Sequence, residues 1–130
     1  MLERYLYKTI SIDLLRLIRF GIISGPEVYH YKDFVRYSYN NLLEINEYPV
    51  VLSNWDNTPR CGKQGLVLQG ATPELYGQLL TKAINALGTR DTKLVFIKSW
   101  NEWAEGNTIE PSIIFKDEYL KTTKFILNRF

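Results

Sequence analysis

Two short runs constrain this chain more than any other feature. They are Pro49-Val50-Val51-Leu52-Ser53-Asn54-Trp55 and Lys93-Leu94-Val95-Phe96-Ile97-Lys98-Ser99-Trp100. Both are nearly continuous in apolar, β-branched or aromatic residues and neither alternates, which is how strands buried on both faces of a parallel sheet read. Parallel neighbours need a crossover between them, usually a helix. The intervening segment supplies one: Thr72 suits an N-cap, Pro73 the first turn and Gly88 the stop. Leu75, Leu79, Ala83 and Leu87, with Tyr76, Leu80 and Ile84, give this helix its apolar face. A last helix is predicted over residues 117–128. The order strand, loop, helix, strand, loop, helix specifies an α/β fold with parallel strands.

Upstream, Leu6, Ile10, Leu14, Leu17 and Ile18 recur at helical spacing, so a helix is expected to lead in over residues 1–25, ended by Gly21 and Ser24-Gly25-Pro26. Residues 27–31 read as a short strand. Residues 32–45 return to helical spacing through Phe34, Val35, Ser38, Leu42 and Ile45, interrupted by Asn40-Asn41. Asp13, Arg16 and Arg19 break the only apolar stretch near the start, and no membrane span is expected.

Composition excludes several function classes. Sixteen Lys and Arg against fourteen Asp and Glu leave a charge of +2 with no like-charged run, so no nucleic-acid partner is expected. Cys61 is alone, which rules out an intrachain disulfide and favours a reducing, cytoplasmic setting. His30 is the sole histidine, so no metal site is expected. Gly62, Gly65 and Gly70 lack phosphate-binding spacing, and no cofactor is expected.

The chemistry-bearing residues sit in the two long loops, 56–71 and 101–116. Both follow the C-terminal ends of strands, the edge where parallel α/β folds bind ligands. The first loop opens Ser53-Asn54-Trp55-Asp56-Asn57-Thr58-Pro59-Arg60, a mixture of indole, carboxylate, amides and guanidinium that suits a sugar. It equally suits a turn in which Asp56 and Asn57 cap, Trp55 is core and Arg60 pairs with Asp56. The second runs Trp100-Asn101-Glu102-Trp103-Ala104-Glu105-Gly106-Asn107-Thr108-Ile109-Glu110-Pro111. Glycosidic chemistry generally needs two carboxyl groups in unlike surroundings. Glu102 and Glu105 face one side if the loop makes a helical turn, and opposite faces if it is extended. The alternative is a surface turn with solvated glutamates over two core tryptophans.

These two strings together resemble the C-terminal part of the WbsX-type family, assigned as glycosyltransferases of lipopolysaccharide and other surface-polysaccharide clusters. That family is in turn similar to the endo-α-mannosidase barrels of glycoside hydrolase family 99. The resemblance covers roughly residues 27–120 and about the last third of a family member. It implies a single partial domain, 1–130, made of the last βα units of an incomplete (β/α)8 TIM barrel, inactive without the missing N-terminal barrel portion as partner. It implies a glycan or glycosyl acceptor as substrate, Glu102 as base on the sugar's 2-hydroxyl and Glu105 as general acid toward the leaving oxygen. Trp55, Asp56, Asn57 and Arg60 would line the adjacent subsite, with Trp100, Asn101, Trp103 and Glu110 completing the sugar contacts. Ser112-Ile113-Ile114-Phe115-Lys116 departs from the family pattern, which puts the closing part of the site in question.

Overall fold

A computed structural model describes residues 25–130, and the lead-in helix expected over 1–25 falls outside the described residues. The described residues form a mixed α/β arrangement of four helices and small sheets. Strand β1 (Glu27–His30) runs directly into helix α1 (Tyr31–Tyr37). Strands β2 (Val50–Leu52) and β3 (Trp55–Asp56), the short helix α2 (Thr58–Cys61), a 3-10 turn (Gly62–Gln64) and strand β4 (Leu66–Gln69) come next. Helix α3 (Pro73–Ala86) crosses over to strand β5 (Phe96–Lys98). A hairpin of β6 (Asn101–Glu102) and β7 (Asn107–Thr108) precedes helix α4 (Glu118–Leu127).

The two diagnostic runs pair as their sequences require. β2 and β5 are parallel, with Val50 opposite Phe96, Val51 opposite Ile97 and Leu52 opposite Lys98. α3 packs against β2, α1 and α4. Thr72 caps it as expected, its Oγ1 accepting from the Leu75 amide at 3.3 Å, and Gly88 follows at φ 62. Tyr76, Leu79, Leu80, Ala83 and Ile84 on α3 join Tyr31, Val51, Leu68, Tyr119 and Ile126 in one buried core. Much of the aromatic content is spent there: the Tyr31 hydroxyl donates to the Leu52 carbonyl, and Tyr76 meets Tyr119 edge-on at 5.3 Å. α3 and α4 approach closely at Gly77, where a Cβ would lie 2.8 Å from the Thr122 methyl.

Three elements differ from the sequence expectation. The helix of 32–45 stops at Tyr37, because Lys82 of α3 donates to the Val35 and Arg36 carbonyls at 2.7 and 2.9 Å and so replaces the amides that would extend it. Tyr39 then takes φ 51, and Leu42 and Ile45 stand exposed. Loop 56–71 holds a further strand, β4, which lies parallel to β1 and antiparallel to β3, giving the order β1-β4-β3. Burial of β2 and β5 on both faces holds at Val51 and Leu52, but Val50 and Phe96 are 44% and 52% exposed.

Candidate active site

The β2 and β5 strand ends deliver both loops to one place. After β2, the chain turns at Ser53-Asn54 into Trp55 and Asp56, which pair with Leu68 and Val67 of β4. Asp56 Oδ1 accepts from the Thr58 amide at 2.9 Å and hydroxyl at 2.6 Å, starting α2. Asn57 Oδ1 accepts from the Leu66 amide at 2.7 Å, tying α2 back to β4. Gly65 makes this possible, since a Cβ there would sit 3.0 Å from the Thr58 Cα. Asp56 and Asn57 thus each commit an oxygen to shaping the turn. Arg60 is thereby free of Asp56 and projects from α2 toward the second loop.

That loop folds back tightly. Asn101 pairs with Thr108 and Glu102 with Asn107, closed by a 3-10 turn over Trp103–Glu105. Gly106 completes it at φ 65, a left-handed conformation that suits glycine, with Asn54 Nδ2 3.3 Å from where a Cβ would stand. Ser99 anchors the base: its Oγ lies 2.8 Å from the Asn107 carbonyl and accepts from the Glu102 amide at 3.1 Å. The 3-10 turn brings residues three apart onto one side. Both carboxylates accordingly meet Arg60, Glu102 Oε1 at 3.4 Å from one terminal nitrogen and Glu105 Oε1 at 3.4 Å from the other.

The two glutamates differ in surroundings. The Glu102 side chain is 35% exposed and has Arg60 as its ion partner. The Glu105 side chain is 12% exposed, and its Oε2 also meets Lys98 Nζ at 3.2 Å. The same ammonium sits 4.6 Å from the centre of the Trp55 ring. The hydrogen bond from Lys98, opposed by burial and aided by the charges of Lys98 and Arg60, holds the Glu105 carboxyl below the ordinary 4.5. A folded-state value lower than the unfolded one contributes stability that is present above the unfolded value and lost as pH falls through the folded one. The thermal midpoint of the parent chain should therefore drop more steeply below pH 4.5 than that of Glu105→Gln. Parallel curves in an acid series would contradict it.

Trp55 is partly buried against the core, but the two tryptophans of the second loop are not core. Trp100 and Trp103 are 52% and 56% exposed, while Glu105 is buried, which reverses the surface-turn alternative. Trp103 Nε1 donates to Glu110 Oε2 at 2.9 Å, fixing the indole's edge. The Trp100 carbonyl takes amide donors from Ile109 and Glu110, both at 3.1 Å. Asn101 is exposed beside them. Ser112-Ile113-Ile114-Phe115-Lys116 closes as a turn bridged between Ser112 and Lys116, with Ile113 and Ile114 exposed.

A family profile described as "Glycosyltransferase WbsX" matches residues 4–123. The chain belongs to the WbsX glycosyltransferase family. "Uncharacterized protein WxcX" of Xanthomonas campestris pv. campestris is 34% identical over 91 residues in strain B100 and 35% in strain ATCC 33913. In both cases the match covers 68% of this chain and 13% of the relative. No solved structure matches the chain.

Sequence reasoning missed Lys98 as a residue of this candidate site. A lysine ending a strand reads as solvated, and only the fold places Trp55 and Glu105 around its ammonium. Among the described residues no group of three or more His, Cys, Asp or Glu is placed to hold a metal, and no helix is long and apolar enough to cross a membrane.

Proposed function

We propose that this site makes or breaks a glycosidic bond in polysaccharide biosynthesis, with Glu102 and Glu105 as its two carboxyl groups. The observation that carries the reading is the single Arg60 guanidinium engaging both. Two carboxylates drawn to one cation, in unequal exposure, supply the paired yet dissimilar groups that an anomeric centre needs. Trp100 and Trp103 offer open indole faces to the C–H side of a sugar ring, and Glu110 fixes the second of them. Asn101, Asn57 and Asp56 stand nearby with hydrogen-bonding capacity for hydroxyls.

Glu102 as base and Glu105 as proton donor is the division of roles the resemblance implies. It requires Glu105 to gain a proton that Lys98 and Arg60 resist. A sugar that displaces Arg60 from between the carboxylates removes one source of that resistance and couples protonation to binding. The half-exposed pair Val50 and Phe96 at the β2–β5 end fits a neighbouring element. We therefore place the chain as βα units of a (β/α)8 barrel completed by a further portion of polypeptide.

The exposed indoles also favour a second reading, a sugar-recognition surface without turnover. To test the first, the chain is incubated with end-labelled oligosaccharides, alone and with the upstream portion of a longer family member. Release of reducing ends, or label transferred to an added sugar acceptor, is expected. Glycan binding without either product leaves the recognition surface, and absence of binding removes both.

A further inference from the structure

We infer that Lys98 is a positioning residue of this site, clamping the Glu105 carboxylate from the strand side while its own ammonium is held in place by the Trp55 indole. The inference rests on the reading of Glu105 as a working carboxyl group. Lys98 ends β5, where its register partner is Leu52, and the side chain leaves the sheet at the edge where Trp55 begins β3. Its Nζ lies 4.6 Å from the Trp55 ring centre and 3.2 Å from Glu105 Oε2. An ammonium over an indole face is attracted by the ring's quadrupole. That attraction limits the positions from which the ammonium can reach the carboxylate, so the Glu105 Oε2 direction is set by two strand ends rather than by the loop alone.

Two of the elements around Glu105 each supply a positive charge. α2 contributes Arg60, on Oε1 and shared with Glu102. β5 contributes Lys98, on Oε2. From β3, Asp56 turns Oδ1 to Thr58, and β7 brings only Asn107 and Thr108, which are uncharged. Arg60 belongs to both carboxylates, whereas Lys98 meets Glu105 alone, so among the charged groups it is Lys98 that distinguishes the two. The lowered Glu105 value, with Lys98 as its largest cause, agrees with this geometry.

The test is carboxyl-carbon NMR titration of the full chain with labelled glutamate, comparing parent, Lys98→Met and Lys98→Arg. Lys98→Met retains a flexible apolar stem over Trp55 and deletes the charge. It is expected to raise the Glu105 midpoint, with Lys98→Arg restoring most of the depression. An unchanged or lowered Glu105 midpoint in Lys98→Met overturns the inference. Should Lys98→Met fail to fold, the parent chain decides. Its Lys98 ε-methylene protons are expected upfield of a free lysine's under the Trp55 ring current and to return in Trp55→Leu, and unshifted resonances in the parent overturn the clamp. These readouts need no substrate. A chain with the coupling but no glycan binding would therefore refute the glycosidic reading and not the clamp.

Discussion

Glu105→Gln is expected to cut turnover of a glycosidic substrate by roughly 10²- to 10⁴-fold, the range for losing a positioned acid or base, while glycan affinity changes only a few-fold. Gln keeps the shape, turns one of the two acceptor oxygens that face Arg60 and Lys98 into an NH2 donor, and removes the charge and the titrating proton. The fold should survive, because the side chains left without their partner, Lys98 at 40% and Arg60 at 57% exposure, can turn to water. Glu102→Gln should lose turnover on a similar scale. If the two act as one unit, the double variant should be little worse than either single change. Parent and variants are compared in the same assembly, by product release and by quenching of the exposed Trp100 and Trp103. Parental turnover in both single variants would leave the pair without a catalytic role.

How far this could be read in advance divides along a physical line. Helix α3 was legible because its cap, first-turn proline, apolar spacing and terminal glycine all act within a few residues of one another. β2 and β5 were legible because their runs are continuously apolar, β-branched or aromatic, although only Val51 and Leu52 of them are buried. β4 was not, although Leu66-Val67-Leu68 between Gly65 and Gly70 is a signal of the right kind: four residues show no period, and its partners β1 and β3 are set by tertiary pairing. The end of α1 depends on Lys82, distant in the chain, and no local rule contains it. The site divides in the same way. That Glu102 and Glu105 could face one side was implicit in their spacing, whereas the turn that realises it depends on Gly106 and on Ser99 beneath. Arg60 has Asp56 as its nearest acid in sequence, but Thr58 occupies that carboxylate first. The guanidinium is left for two acids more than forty positions away.

Leu80→Ala should be the most damaging single change to stability, at about 2–5 kcal/mol. Leu80 is 1% exposed on the buried face of α3, in the core that also holds Val51 of β2 and Ile126 of α4. Truncation leaves a cavity bounded by elements that cannot all move inward together, since Gly77 already sets α3 against Thr122 of α4 at the limit of approach. Against a total stability of about 5–15 kcal/mol such a loss is a large fraction, and the thermal midpoint should fall by roughly 10 °C or more. Gln78→Ala, on the exposed face of the same helix, is the control and should stay within about 0.5 kcal/mol. The consequence reaches the site: α3 backs β2, and the chain leaving β2 and β5 carries Trp55 and Lys98 to Glu105. A Leu80→Ala chain that melted with the control would mean that α3 does not share a cooperative core with β2. Arg60, Lys98 and the two glutamates would then lack the scaffold that holds them together.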